Sequence, residues 1–227
     1  MDSSSHFRLI GVLHLPALPG APRSTLEFSQ VVDRALRDAS ALCDGGINDC
    51  VIENIGDAPF HPVAVEPHVP AMLAVIGQRV REELGMTIGL NVLRNDAHSA
   101  MGAAVACGAS FIRVNVLVGS AWTDQGLIHS EAASLLRYRR MLCGTDAGPQ
   151  VYADVHVKHA VHPAGTDIQT MAIEAIERSG ADAVIVTGSR TGGATNLADL
   201  EAVRRVVNDH PVFVGSGVQQ KTIADIR

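Results

Sequence analysis

Ionisable side chains recur at every second position of the segment VYADVHVKH, residues 151–159. Tyr152, Asp154, His156 and Lys158 alternate there with valines and an alanine. Period-two alternation predicts a β-strand that carries these four side chains on one face and apolar side chains on the other. An ordinary buried parallel strand is apolar on both faces, so a polar face requires a reason. In a closed barrel that face points inward, towards the end where active sites are built, and the segment is therefore a predicted active-site strand.

Asp154 and His156 are compatible with two kinds of chemistry. With Glu53 or His14 they could bind a divalent metal, because carboxylate oxygens and imidazole nitrogens are ligands of such ions. They could instead form a metal-free acid–base set in which the carboxylate orients the imidazole. Lys158 is a further catalytic candidate, either countering substrate charge or acting as a Schiff-base nucleophile. The alternative without catalysis is a buried polar network.

Other predicted strands also end in polar residues, which are candidates for binding a substrate. Glu53 ends the second strand, and an arginine on the fourth strand is its natural partner if the carboxylate is structural. The loop VLVGSAWTDQG, which contains the single tryptophan, is either a wall of the ligand site or a plug of the barrel mouth. The segment from Ile55 to Pro67 is too long for a tight connector and is expected to form a lid or substrate wall. The predicted substrate-binding residues are Asn91, Arg113, Asn115, Asp124 and Thr187.

Two glycine-rich turns follow the sixth and seventh predicted strands and open towards helices. Their sequences are VTGSRTGGATN, residues 186–196, and VGSGV, residues 214–218. Backbone N–H groups exposed by glycine at the start of a helix bind anions, and barrels often bind phosphate in their last βα loops. The alternative is a pair of ordinary tight turns. The predicted phosphate-binding residues are Gly188, Gly192, Gly193, Gly215, Ser216 and Gly217.

Short β-branched runs alternate with alanine-rich stretches along the chain, and this alternation predicts a parallel sheet with helices outside it. Several helices have recognisable ends: Asn95 or Asp96 caps a helix that stops at Gly108, and Asp167 and Asn196 cap two later ones. The seven predicted strands are Leu9–Leu15, Asp49–Glu53, Thr87–Val92, Phe111–Val116, Val151–Val157, Ala183–Thr187 and Val212–Gly215.

Two architectures fit this alternation. A doubly wound sheet usually has a glycine-rich first turn, but the first turn here is LPALPGAP and contains three prolines. A TIM (β/α)8 barrel uses the ends of many strands, which agrees with the polar residues at nearly every predicted strand end. We therefore predict one barrel domain over residues 1–227. Because a complete barrel has eight strands and about 250 residues, we expect this chain to be truncated at its C-terminus and to lack the eighth βα unit.

The overall composition excludes some partners. The formal net charge is −6 and the basic residues form no cluster beyond one predicted helix, which argues against nucleic acid. No apolar run approaches the ~20 residues of a membrane span. The four cysteines lack CxxC spacing, and we expect a cytoplasmic protein with reduced cysteines. A small phosphorylated ligand and a homo-oligomer are both compatible with this composition.

Seven motifs, in a fixed order, resemble one protein family. They are HLPALPG, ENIGDAPF, GLNVLRND, FIRVNVLVGSAWTDQG, ADVHVKHA, AVIVTGSRTGG and PVFVGSGV, and together they extend from Ile10 to Val218. The chain thereby resembles the BtpA/SgcQ family. This resemblance implies a (β/α)8 barrel related to the ribulose-phosphate-binding barrels. Members of the family are usually longer and carry the eighth unit, which in related barrels helps to bind phosphate.

Two functions follow from the residues and the resemblance. The first is a TIM-barrel enzyme with a lyase or isomerase-like reaction, acting on a small phosphorylated metabolite by acid–base or metal-assisted chemistry. The second is a non-catalytic assembly factor for a membrane complex, because the family takes its name from photosystem I biogenesis. Such a factor would associate peripherally with membranes, yet no basic amphipathic helix or lipidation motif is present. Convergence of ionisable groups on one predicted face favours the enzyme.

Overall fold

The computed structural model describes residues 7–144, 148–188, 193–220 and 223. Strands and helices alternate through this part of the chain, as the sequence predicts. The strands are β1 (Gly11–His14), β2 (Asp49–Glu53), β3 (Thr87–Asn91), β4 (Phe111–Val114), β5 (Ser120–Thr123), β6 (Gly126–His129), β7 (Gln150–Val155), β8 (Ala160–Val161), β9 (Ala183–Val186) and β10 (Val212–Val214). The helices are α1 (Phe28–Asp44), α2 (His68–Leu84), α3 (Ala97–Cys107), α4 (Ala132–Cys143), α5 (Ile168–Ile173) and α6 (Leu197–Val206).

Seven strands form one parallel sheet in the order β1-β2-β3-β4-β7-β9-β10. The sheet curls around an interior cluster to which Val51, Phe111, Tyr152, Ile185 and Phe213 contribute from five of its strands. Helices cover the outer face, so the predicted TIM-barrel architecture is confirmed. Within the described residues β1 and β10 are the two edges of this curled sheet.

A second, antiparallel sheet of three short strands has the order β6-β5-β8 and was not predicted. It forms because the loop after β4 folds into a hairpin, and the segment after β7 adds β8 beside it through the pairing of Trp122 with Val161. Ala121 and Ile128 of this sheet form a small apolar cluster with Val116 and Val157. These strands are difficult to recognise in the sequence because they are only two to four residues long.

The predicted helix caps are present and fix where each βα loop ends. Asp96 caps α3 by accepting a hydrogen bond from Ser99 N at 2.9 Å, and the helix stops at Gly108 in the left-handed conformation with φ 72°. Asp167 and Asn196 cap α5 and α6 in the same way. These local signals therefore predicted the boundaries well.

A further difference from the predicted elements lies at the end of β7. The sequence predicts a strand through Val157, but β7 stops at Val155 and His156 adopts a left-handed conformation with φ 52°. A residue in this conformation breaks the two-residue alternation of a strand. The side chain of His156 therefore does not follow the predicted face.

Candidate active site

Arg113 is the centre of a buried charge network at the C-terminal ends of β2, β4 and β7. Its Nε and Nη2 donate to the two carboxylate oxygens of Asp154 at 2.9 and 3.0 Å, and its Nη1 donates to Glu53 Oε1 at 3.0 Å. Asn115 Nδ2 donates to Asp154 at 2.8 Å and Asn91 Nδ2 donates to Glu53 at 3.2 Å. All five side chains are buried. The predicted pairing of Glu53 with Arg113 is thus confirmed.

The strand register explains why these residues meet. Glu53 is level with Asn91, and side chains at the same height on neighbouring parallel strands point the same way. Arg113 is level with Tyr152, which lies two residues before Asp154. Its long side chain must therefore extend diagonally towards the strand end to reach Asp154. Below it, stacked aromatic rings fill the barrel interior.

The pKa values of Glu53 and Arg113 favour the charged forms of both side chains. Burial alone would raise the pKa of Glu53, but Arg113, His14 and Lys158 together outweigh burial and the pKa falls to about 2. Burial also lowers the pKa of Arg113, whereas Asp154 and Glu53 together raise it above its ordinary value. Both Glu53 and Arg113 are therefore charged at neutral pH, and Glu53 does not carry a proton to donate there.

A cavity of about 470 Å³ lies beside this network at the mouth of the barrel. The predicted lid segment contributes Ile55 and Phe60 to its wall, and the loop with the single tryptophan contributes Asp124. Trp122 itself is exposed to solvent. The lining residues are Glu53, Ile55, Phe60, Asn91, Leu93, Arg94, Arg113, Asn115, Asp124, Lys158 and His159.

Lys158 is a cavity residue whose pKa is lowered, which suits it to exchange a proton. Burial lowers the pKa of its ammonium group, and the nearby Arg113 and Arg94 lower it further. In the described part of the chain, Lys158 Nζ has no carboxylate within 4 Å. The full sequence has only two lysines, Lys158 and Lys221, so a lysine on an active-site strand is itself a sequence signal.

Arg94 is a site residue that sequence reasoning missed. It is 5% exposed, and its Nη2 donates to the backbone oxygen of Lys158 at 2.7 Å. The neighbouring Asn95 fixes this loop by exchanging two hydrogen bonds with the backbone of Val116. Arg94 lies three residues beyond the end of β3, in a βα loop on the active face. This position is the sequence signal that could have indicated Arg94 as a site residue.

His14 contacts the network from β1. Its Nε2 lies 3.6 Å from Glu53 Oε2, and its side chain is 49% exposed. His14 does not line the cavity of about 470 Å³. The structure therefore brings His14 close to Glu53 but leaves it at the edge of the site.

His156 does not share the face of Asp154, so the predicted pairing of these two side chains is wrong. Because His156 is left-handed, its ring stacks instead on His162, with ring centroids 4.7 Å apart. Burial lowers the pKa of both imidazoles. Lys158, two residues later, returns to the cavity.

The predicted metal-ligand set of His14, Glu53, Asp154 and His156 does not assemble. His156 is on another face, and the Arg113 guanidinium lies between the two carboxylates where an ion would have to sit. Across the described ranges, no group of three or more His, Cys, Asp or Glu residues is arranged to hold a metal ion. The arrangement of these four residues therefore favours the acid–base and polar-network interpretations.

The two glycine-rich turns lie against each other beside Arg113. Gly188 N donates to Ser216 Oγ at 2.9 Å, and Ser216 Oγ donates to Gly193 O at 2.7 Å. A Cβ at Gly215 would lie 3.5 Å from Arg113 Nη2. The structure thus brings five of the six predicted phosphate-binding residues together next to the charge network.

Close packing of the two turns is one physical reason for their glycines. Gly217 has φ 70°, and a Cβ there would lie 2.5 Å from Gly193 O. Gly192, the sixth predicted phosphate-binding residue, lies outside the described residues. Thr187 donates weakly to His156 O at 3.4 Å and lines neither of the two barrel cavities. Its contact with substrate stays a prediction.

A second, larger cleft of about 660 Å³ opens between the edge strands β1 and β10. Phe111, Tyr152 and Phe213 make its apolar wall, and residues 215–217 of the last glycine turn reach it. Arg113 lines both this cleft and the smaller cavity. It therefore separates the Lys158 side of the site from the glycine turns.

A family comparison places this architecture among known proteins. The model of the BtpA family matches residues 5–227. The chain belongs to the BtpA family. Within this family it is 44% identical over 223 residues to the photosystem I biogenesis protein BtpA of Synechocystis sp., a match that covers 98% of the chain and 76% of that protein. It is 43% identical over 215 residues to an uncharacterized protein of Pyrococcus horikoshii, covering 95% of the chain and 80% of that protein.

The BtpA-family barrel also resembles solved enzyme structures. The structure of N-acetylmannosamine-6-phosphate 2-epimerase from Clostridium perfringens superposes with a TM-score of 0.57 at 14% identity, covering 95% of this chain and 80% of that one. At this identity the likeness is one of fold. None of the helices in the described ranges is long and apolar enough to cross a membrane.

Proposed function

We propose that this BtpA-family chain is a barrel enzyme that carries out a lyase or isomerase-like reaction on a small phosphorylated metabolite by acid–base chemistry. The observation that supports this most strongly is the position of Lys158. Its partly buried amine faces a cavity beside a rigid network of opposite charges, without a carboxylate within 4 Å among the described residues. A titratable group with a lowered pKa in a cleft is a recurrent feature of catalytic sites.

The proposed roles are of two kinds: three charged side chains form a fixed network, and one lysine transfers a proton. Arg113, Glu53 and Asp154 hold each other in place, so they supply a preorganised field to a charge that develops in the reaction. Lys158 takes up or returns the proton, because its lowered pKa moves it towards neutrality. His14 at the edge supports the charge of Glu53.

The glycine turns after β9 and β10 are the proposed phosphate site. Their support is position: Gly215 adjoins Arg113, and Ser216 joins the two turns. Barrels often bind phosphate in the βα loops at this end of the chain. The shared fold with an epimerase of a sugar 6-phosphate makes sugar phosphates the first substrates to test.

Hydrogen exchange with solvent tests the acid–base reaction without knowledge of the product. The purified chain is incubated in D2O with a panel of phosphorylated aldoses and ketoses, and incorporation of deuterium is followed by mass spectrometry. We expect incorporation into at least one compound, and a decrease of about 10²-fold or more in Lys158→Met, because general acid–base groups contribute about 10²–10⁴-fold. Arg205→Met, which removes an exposed cation paired with Glu201, is the matched control.

Two results would contradict this proposal. Exchange that persists in Lys158→Met would remove the lysine from the reaction. Absence of exchange from every compound would argue against proton transfer from carbon. Each result would leave the buried network around Arg113 as a structural feature.

Assembly of a membrane complex is the second candidate, and the name of the 44% identical Synechocystis relative supports it. Fractionation of cells that express the chain separates the two candidates. Quantitative recovery with membranes, unchanged in Lys158→Met, would favour the assembly factor. Recovery away from membranes would favour the enzyme.

A further inference from the structure

Two cations on the cavity wall, Arg94 and Lys158, interact with carboxylates only at longer range: Asp154 and Glu53 act on both, and Asp124 also acts on Arg94. Arg113 is satisfied by Glu53 and Asp154, but within the described residues neither Arg94 nor Lys158 has a carboxylate within 4 Å. The single hydrogen bond of the Arg94 side chain in this part of the chain goes to a backbone oxygen.

An unpaired buried arginine is unusual for a physical reason. A guanidinium does not lose its proton in proteins, and burial removes much of its hydration. Arg94 is 5% exposed, so it gives up hydration without an ion pair to compensate. Lys158 lies close enough to raise this cost by repulsion. An anion that enters the cavity between them would supply the missing charge.

The part of the cavity between Arg94 and Lys158 is distinct from the glycine turns. Arg113 lines both the smaller cavity, which contains Arg94 and Lys158, and the larger cleft, which contains Gly215 and Ser216. A ligand that contacts both regions must pass the Arg113 side chain. Its two ends would then meet positively charged or N–H-rich surroundings on opposite sides of that residue.

We propose that the substrate is doubly anionic, with a phosphate at the glycine turns and a second anionic group bound by Arg94 and Lys158. This inference rests on the proposed function and narrows its substrate class to phosphorylated acids and bisphosphates. A planar guanidinium favours bidentate oxygen pairs, which both carboxylate and phosphate present.

Asn115 indicates a further group that the substrate should carry. Its Nδ2 is bound to Asp154, but its buried Oδ1 has no hydrogen-bond donor among the described residues. Buried acceptors are rarely left without a donor. Because Asn115 lines the same cavity, a hydroxyl group of the ligand is the donor that would complete it. The substrate class is thus a hydroxylated, doubly anionic metabolite.

Matched pairs of ligands test the second anionic group directly. Each pair keeps the phosphate and hydroxyl groups and exchanges a carboxylate for an alcohol: 3-phosphoglycerate with glycerol 3-phosphate, 4-phosphoerythronate with erythritol 4-phosphate, and 6-phosphogluconate with sorbitol 6-phosphate. Titration calorimetry measures their dissociation constants on the full chain. In at least one pair we expect the acid to bind at least 10-fold tighter than the alcohol.

Two variants test which side chains cause the tighter binding of the acid. In Arg94→Met the dissociation constant of the acid should rise at least 10-fold, while that of the alcohol should change less than two-fold. If that variant does not fold, Lys158→Met provides the same comparison, since its side chain makes no hydrogen bond in the described structure. Arg205→Met should retain the full preference.

Equal binding of acid and alcohol in every pair, or a preference that survives both variants, would overturn the second anion site. If the alcohols still bind in those cases, the proposed phosphate site remains. Failure of all six compounds to bind would overturn the phosphate site and the second site together. Tighter binding of an acid that is lost in Arg94→Met supports both.

Discussion

Arg113→Met should be the most informative single change in the barrel. It removes three hydrogen bonds, two to Asp154 and one to Glu53, and leaves two buried carboxylates without their guanidinium partner. Methionine fills much of the volume, so the change acts mainly on charge. Removing one partner of a buried ion pair costs about 3–5 kcal/mol of unfolding free energy. Because two carboxylates lose their partner, we expect a loss in the upper part of that range.

The pH dependence should reverse its sign, which separates this explanation from a packing defect. In the native chain the pKa of Glu53 is about 2, below an unfolded value of about 4.3. Its contribution is fully present above pH 4.3 and is lost as the pH falls to about 2. In Arg113→Met only His14 and Lys158 still oppose burial, so we expect the pKa of Glu53 to rise above its unfolded value. The resulting penalty is present at neutral pH and is relieved on acidification.

Urea denaturation followed by circular dichroism at pH 7.5 and pH 5 measures both effects. We expect Arg113→Met to lose about 4 kcal/mol at pH 7.5 and to recover part of it at pH 5. Arg205→Met, with its exposed pair to Glu201, should change by less than about 0.5 kcal/mol at either pH. A loss in Arg113→Met no larger than in this control, or one that is equal at both pH values, would refute the reasoning.

Two further changes test elements that hold the site. Asp96→Ala removes the cap of α3 at Ser99 and the bond to Val65 N, and thermal unfolding should show a loss of about 1–2 kcal/mol; an unchanged midpoint would show that neither bond matters. Gly217→Ala places a Cβ 2.5 Å from the Ala194 Cα at φ 70°. It should lower stability by more than about 1 kcal/mol and weaken any stabilisation by inorganic phosphate, whereas unaltered stability would contradict the close packing of the two turns.

Local signals made much of the barrel predictable. All seven predicted sheet strands were correct to within two residues at each end, and Asp96 and Gly108 bound α3 as their types predict. The ion pair of Glu53 with Arg113 was also anticipated, because both lie at strand ends that converge in a barrel. Strands β5, β6 and β8 were not predicted, since such short strands gain their stability from pairing with one another.

The sequence by itself determined the fold class and the end of the barrel that carries ionisable groups. Strand periodicity and helix caps depend on neighbouring residues and are therefore readable without coordinates. Only the tertiary structure decided which groups meet. A left-handed conformation at one residue removed His156 from the site and returned Lys158 to it. Long side chains then brought Arg113 to Asp154 diagonally on the neighbouring strand and Arg94 to the cavity from a loop, because such contacts depend on side-chain reach rather than on spacing along the chain.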